Sequence, residues 1–283
     1  MSSPAVGLVT VGYHSEGEWA GFFDSIERST IKPEAVVVVE NSESPSSAPP
    51  PLTTSPLTVL HEPRNLGYGA AANLGVRELP PQIKWVVVCN PDIRLEPETL
   101  ERLLAAQDSL PRAGLLGPGV LDSKGEIFPS ARAIPGIRIG VGHALFSKVW
   151  PRNPWTAAYL GNYTQEHPRS VGWLSGSFLL VNRDVFNANN GFDERFFMFF
   201  EDVDLGMRIK KSGYRNVYVP AARVTHSGAH STSAHEKKML LAHHKSAEIF
   251  LGKLYPHPLQ WPLRSLLRLG LTLRARFQTR NMP

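Results

Sequence analysis

Two acidic clusters and one histidine are the residues of this sequence whose types and spacing offer chemistry. Asn90-Pro91-Asp92 follows directly on the apolar run Trp85-Val86-Val87-Val88-Cys89. In open α/β sheets ligands lie just beyond the carboxyl ends of strands, which places Asp92 where a diphosphate would bind. A carboxylate repels a diphosphate directly. A divalent cation between them removes the repulsion, because carboxylate and phosphate oxygens are its preferred shell. Asn-Pro-Asp is also good turn chemistry, with proline at the second position, so the tripeptide alone leaves both readings open. The second cluster, Glu201-Asp202-Val203-Asp204, follows the aromatic run Phe196-Phe197-Met198-Phe199-Phe200. Clustered carboxylates beside apolar walls are raised toward the range of a general base, and Asp202 is the candidate. Asp202 would also suit a helix N-cap, and Asp204 with Arg208 reads as a structural i,i+4 pair. His226 follows the strand-like stretch Val217 to Val224 in Thr225-His226-Ser227-Gly228-Ala229-His230-Ser231. Its imidazole can complete a mixed Asp/His metal site, although a histidine at a strand end is also an ordinary hydrogen-bonding residue.

The elements that must hold these groups are legible as hydrophobic runs. Residues 5–12, 35–40, 57–61 and 83–89 read as strands, with helical patterns at 16–28, 67–79 and 96–108 between or beyond them. Continuous apolar strands separated by helices are what a parallel sheet covered on both faces requires, and the first 120 or so residues read as an α/β nucleotide-binding half. The proline-rich segment 42–56 cannot be helix or central strand and reads as a surface loop. The second half begins near Leu115. It reads as a strand over 171–181, a helix over 202–212, a strand pair over 215–226, and helical patterns over 234–255 and 258–278.

The bulk composition narrows the classes. Hydrophobic residues make up 42% and charged residues 19%, an ordinary globular balance. The single cysteine, Cys89, excludes an internal disulfide, reads as a small buried hydrophobe, and fits a reducing cytoplasmic compartment. Neither a signal peptide nor an apolar stretch near the ~20 residues of a spanning helix is visible. The net charge of +5 belongs to residues 256–283, which carry Arg264, Arg268, Arg274, Arg276 and Arg280 and no acid. The rest of the chain is neutral, which argues against a nucleic-acid partner with its spread basic face.

Gly67-Tyr68-Gly69-Ala70-Ala71-Ala72 matches a dinucleotide-binding fingerprint and would suggest a dehydrogenase. That fingerprint needs a tight turn directly after a strand, whereas residues 62–66 intervene here, and Asp92 falls in a loop. The glycines read instead as places where backbone approaches a nucleoside or packs closely.

Taken together, the residues resemble the family 2 glycosyltransferases of the GT-A fold. The resemblance rests on 9–15 after the first strand, Glu40-Asn41-Ser42 after the second, Asn65-Leu66-Gly67 with Asn73, and Asn90-Pro91-Asp92. It continues through Gly191-Phe192-Asp193-Glu194, Glu201-Asp202-Val203-Asp204 and His226. It implies a Rossmann-like, mostly parallel central sheet with flanking helices and a C-terminal helical extension. Residues 1–230 would be the GT-A domain, with 1–120 as the nucleotide-binding half and 121–230 as the acceptor and catalytic half. Residues 231–283 would be the extension.

A narrower resemblance, to the mycobacterial-type rhamnosyltransferases of that family, is carried by 128–132, 150–156, 171–177 and 242–246. It implies inverting transfer of L-rhamnose from a dTDP-rhamnose donor to the 3-hydroxyl of a polyprenyl acceptor, GlcNAc-diphospho-decaprenol. The product would be the linker between arabinogalactan and peptidoglycan. Carried over by position, Tyr13, Glu40, Asn41, Asn65, Gly67, Asn73, Asn90 and Asp92 would meet the nucleotide sugar. Asp92 and His226 would hold a divalent metal, Mn²⁺ or Mg²⁺, and Asp202 would take the acceptor proton. Trp173, Gly176, Glu201, His243, His244 and Lys245 would face the acceptor. Two departures stand out: Glu40 replaces the usual aspartate, and Asn90 replaces the first acid of the family's D-x-D, leaving Asp92 alone. The Gln-x-x-Arg-Trp motif of processive synthases is absent, which implies addition of a single sugar.

The tail interleaves its five arginines with Trp261 and six leucines between 263 and 273. Such a helix suits an anionic membrane surface, and it equally suits packing on the domain with solvated arginines. With the lipid acceptor, the expectation is peripheral contact at the inner face of the plasma membrane. Two rival functions remain: a sister transferase using UDP-galactofuranose or another donor, and a non-catalytic nucleotide-sugar or lipid-diphosphate binder.

Overall fold

The structure, a computed structural model, describes residues 5–45, 47–136, 150–160, 167–228 and 233–280. The stretch Ala229-His230-Ser231 and the expected boundary at 230/231 lie outside them. The first half alternates strand and helix as the apolar runs require: β1 (Val6–Gly12), α1 (Trp19–Arg28), β2 (Ala35–Glu40), β3 (Leu57–His61), α2 (Tyr68–Glu78) and β4 (Trp85–Cys89). A short β5 (Ile93–Leu95), α3 (Thr99–Ser109) and β6 (Ala113–Leu121) follow. β1, β2 and β4 are buried along their whole length, because helices cover both faces.

The second half adds the ribbons β7 (Ile127–Phe128) and β8 (Ala131–Arg132), then α4 (Pro154–Leu160), β9 (Arg169–Val171), β10 (Trp173–Leu174) and β11 (Phe178–Asn182). Next come α5 (Arg183–Ala188), α6 (Glu201–Lys211), β12 (Arg215–His226), α7 (Ser233–Leu254), a 3₁₀ turn at Pro258–Gln260 and α8 (Trp261–Arg280). Two sequence expectations change here. The strand expected over 171–181 is three short pieces, because the backbone turns at Gly172 and again at 175–177 to reach neighbouring elements. The strand pair expected over 215–226 is one strand, with its register against β6 broken between Val219 and Arg223.

The main sheet runs β3-β2-β1-β4-β11-β6-β12-β5. β1 lies parallel to both β2 and β4, while β11 enters antiparallel between β4 and β6, so the sheet is mixed though mostly parallel. One hydrophobic core under α1 and α3 contains Trp19, Phe22, Leu103 and Phe178. A second, under α2 and α6, contains Val76, Phe192, Leu205 and Tyr218.

Candidate active site

The β4 end delivers Asp92, and the β5–β12 ladder delivers His226. That ladder pairs His226 with Ile93, so the antiparallel register sets the histidine beside the residue before it. His226 Nε2 lies 3.1 Å from Asp92 Oδ2. Asp92 Oδ1 is buried and has no hydrogen-bond partner. A buried carboxylate oxygen left open beside an imidazole fits a hard divalent cation completed by oxygens from a ligand. Among the described residues no group of three or more His, Cys, Asp or Glu could hold a metal, so these two donors would need outside oxygens. Cys89, one turn away, is buried and free, and burial, with the Asp92 charge, pushes its thiol well up.

The aromatic run before the Glu-Asp pair forms a tight turn in which Phe199 and Phe200 both have positive φ, 68° and 67°. Left-handed backbone at two bulky residues is strained and persists only where its surroundings enforce it. Several contacts do so. The Phe197 carbonyl accepts from Tyr68 N–H at 3.0 Å, and it sits so close to Gly67 that a Cβ there would lie 2.1 Å away. From the far side α7 closes on the turn: Ser246 Oγ donates to Met198 O at 2.7 Å, His243 stacks edge-on against Phe199 and Phe200, and Phe250 packs on Phe200. Lys253 of α7 reaches Asp193 at 2.7 Å and also pairs with Asp204. Asp204 is the Arg208 partner that the spacing foretold, at 2.7 Å. Its second cation, 49 positions along the chain, had no local signal.

The turn launches α6 with Glu201 and Asp202 in its first turn. Asp202 accepts from Gly176 N–H at 2.8 Å and from Val203 N–H at 2.7 Å, and it remains partly accessible. Glu201 is buried at 6% exposure with Oε2 unpartnered. Burial, then the Asp202 charge, pushes its carboxyl up to about 8. Burial raises Asp202 too, but the N–H groups of Gly176 and Val203, and the Arg132 charge, oppose that rise. The pair titrates together. The backbone donors favour the charge on Asp202 and leave Glu201 holding the proton near neutrality.

One consequence concerns stability. Glu201 binds its proton more tightly folded than unfolded, so between the ordinary value of 4.5 and about 8 stability falls as pH rises. Glu201→Gln should therefore flatten the pH dependence of Tm, lying nearest wild type at the acidic end and melting clearly higher above pH 8. Thermal melts across pH 5–9 check this; parallel curves for the two proteins would refute it.

The other expected site residues separate into groups. Tyr13 is exposed beside the end of β1. Glu40, at the end of β2, takes Ser42 Oγ on one oxygen and leaves Oε2 buried and open, a place for a nucleoside N–H or hydroxyl. Asn41 and Asn65 bind each other at 3.0 Å and hold the 65–67 loop through Leu66 N–H and Gly67 N–H. Asn73 binds the backbone of Phe192 and the Glu194 carboxylate, so its amide braces the loop before the aromatic run. Asn90 N–H bonds to Ser177 O, linking the β4 end to the 175–177 loop. Gly69 packs against Phe192, and Gly67 against Phe197, which explains the dinucleotide-like spacing as close packing.

Trp173 is buried, its Nε1 bonded to Ala133 O, in a small core with Phe196, Val203, Met207 and Phe250. The structure therefore places its ring within packing, with 8% exposure left for a sugar. Gly176 packs between Asp202 and Tyr68, whose hydroxyl donates to Gly176 O at 2.6 Å. Tyr68 is the residue the sequence reading missed: it braces the 175–177 loop, and only its place at the start of α2 hinted at it. His244 is buried, and His243 and Lys245 lie on the more open side of α7.

With this geometry in hand, comparison with known proteins is informative. The model of a glycosyltransferase-like family 2 matches residues 9–241. The N-acetylglucosaminyl-diphospho-decaprenol L-rhamnosyltransferase of Mycobacterium tuberculosis is 40% identical over 284 residues, covering 97% of this chain and 92% of that protein. The rhamnosyltransferase WbbL of Escherichia coli is 39% identical over a shorter stretch, 29% of this chain and 31% of that one. Among solved structures, S. aureus TarS 1-349 aligns with a TM-score of 0.53 at 13% identity, covering 96% of this chain and 80% of that chain. GalNAc-T7, crystallised with UDP, GalNAc and Mn²⁺, aligns with a TM-score of 0.57 at 13% identity, covering 87% and 47%. At such identity the structures speak to the fold.

Proposed function

The chain belongs to the family 2 glycosyltransferases, and from that premise we propose that it transfers L-rhamnose from dTDP-L-rhamnose to the 3-hydroxyl of a GlcNAc-diphospho-decaprenol acceptor. The observation that carries the donor and acceptor classes is the near full-length match to the mycobacterial rhamnosyltransferase. The reaction type rests on Asp202, an accessible carboxylate held by two backbone N–H groups beside a buried, protonated Glu201.

Asp202 takes the proton of the acceptor hydroxyl as that oxygen bonds to the sugar's anomeric carbon. The carbon–oxygen bond to the nucleoside diphosphate breaks on the opposite face, inverting the centre. Glu201, neutral, leaves the charge of the pair on Asp202. Glu40 faces the thymine or ribose with its open oxygen, and Asn41 and Asn65 keep that loop in place. Asp92 and His226 would hold a divalent cation. When bound, that cation supplies positive charge to the departing diphosphate. Asn90 positions the donor side, and Gly176, Glu201, His243 and Lys245 border the acceptor side.

The experiment is product analysis with dTDP-rhamnose, other dTDP-sugars and UDP-galactofuranose, against prenyl-diphospho-GlcNAc. A rhamnosyl-GlcNAc product from dTDP-rhamnose is expected; preference for another donor would overturn the reading, and no transfer from any donor would favour a binding protein.

The lipid acceptor also calls for a membrane contact, and α8 supports one. Leu263, Leu267 and Leu271 are partly covered, whereas Leu266, Leu269 and Leu273 form an exposed stripe. Leu259 and Trp261, before it, are 82% and 63% exposed. An exposed apolar stripe with arginines suits the interface of an anionic bilayer. No described helix is long and apolar enough to cross a membrane. Deleting 258–283 should abolish sedimentation with anionic liposomes while sparing donor binding; undiminished sedimentation would sink the idea.

A further inference from the structure

Arg132 has a setting that neither its strand nor the fold requires. It sits at the end of β8, and its guanidinium lies 5.7, 5.5 and 5.5 Å from the ring centres of Phe128, Tyr159 and Trp173. Nε donates to Pro129 O at 2.7 Å, which fixes the plane of the fork. Among the described residues no carboxylate lies within salt-bridge distance of it, whereas Arg208 on α6 is paired with Asp204 at 2.7 Å. Three rings stabilise a cation by their quadrupoles and leave its full charge in place. With Nε held and no carboxylate in ion-pair contact, the guanidinium keeps a fork that can take two phosphate oxygens at once.

The cage is coupled to the catalytic loop. β8 pairs with β10, Arg132 facing Trp173, and the next loop bonds back through Ser175 N–H to Ser130 O at 2.7 Å. The residue after that, Gly176, carries the N–H bound to Asp202. Arg132 thus stands one ribbon away from the catalytic carboxylate, within reach of its charge, on the second-half ribbon. The donor-side groups Glu40 and Asp92 come from the ends of β2 and β4.

We propose that Arg132 binds the diphosphate of the lipid-linked acceptor, and that the aromatic cage holds the guanidinium ready so that the attached sugar hydroxyl meets Asp202. This rests on the acceptor class of the proposed function. Phe128 is 43% exposed and continues the cage outward, giving the first prenyl unit an apolar surface beside the charge.

The test compares binding of farnesyl-diphospho-GlcNAc with its neutral farnesyl glycoside by titration calorimetry, alongside steady-state kinetics. Arg132→Met keeps the cage filled without charge, and Arg132→Lys keeps charge without the fork. The wild type should prefer the diphosphate by about 10- to 100-fold, R132M should lose that preference, and R132K should recover part of it. In kinetics R132M should raise the acceptor KM and leave the donor KM unchanged. A preference intact in R132M, equal losses for both ligands, or a shift in donor KM would each overturn the proposal. A wild type that shows the Arg132-dependent preference but makes no rhamnoside would instead refute the reaction and keep the diphosphate site.

Discussion

Replacing Asp202 by Asn is expected to lower kcat by about 10²- to 10⁴-fold, the range a positioned general base contributes. Donor binding should hardly change, since no donor-side residue touches this carboxylate. The side chain's two oxygens accept from Gly176 N–H and Val203 N–H. An amide can satisfy one of these, and its NH₂ must face the other. A stability loss of about 1–3 kcal/mol should therefore accompany the kinetic loss. Pairing kcat with thermal melts and donor titration separates the effects. A variant that keeps wild-type kcat removes Asp202 from the base role. Because Glu201 keeps its proton through the range in which Asp202 ionises, Glu201→Gln should leave the acidic limb of the kcat profile in place and remove the pair's second ionisation near pH 8.

Replacing Asp92 by Ala should cost at least about 10²- to 10³-fold in kcat, the scale of removing a preorganised group that stabilises developing charge. Without a second acid in its loop, because Asn90 stands where an aspartate would help, nothing nearby substitutes for it. The variant should also lose binding of Mn²⁺ measured alone by paramagnetic resonance. His226→Ala, which spares the carboxylate, should weaken it by about 10- to 100-fold. Undiminished Mn²⁺ binding in Asp92→Ala would place the cation elsewhere. Persisting activity after chelation would take the cation out of the reaction.

Much of the sheet was legible because a buried strand must be apolar throughout: 35–40 and 57–61 are found where the sequence put them, and β1 and β4 within two residues. The 171–181 region was less so. Glycines at 172 and 176 break it, and the breaks answer to Ile134 and Asp202, residues distant in sequence. The carboxylates of 201–204 were legible as a cluster, and Asp204–Arg208 as a helical pair, since both depend on spacing alone.

By itself, then, the sequence determined the first four strands and the helices that go with them, the acidic loops at 90–92 and 201–204, and the family. These follow from periodicity and from residue types close together in the chain. Tertiary structure alone decided which carboxylate of the pair bears the charge. Glu201 is desolvated without a partner, and Asp202 meets an N–H from a loop 26 positions away. It alone set His226 against Asp92 through the β5–β12 register, and bound α7 to the strained Phe199–Phe200 turn through Lys253 and Ser246. Asp92, a turn or a ligand in the sequence, became a half-open carboxylate beside an imidazole. Desolvation and long-range pairing depend on what the fold packs around a group, and no local pattern records that.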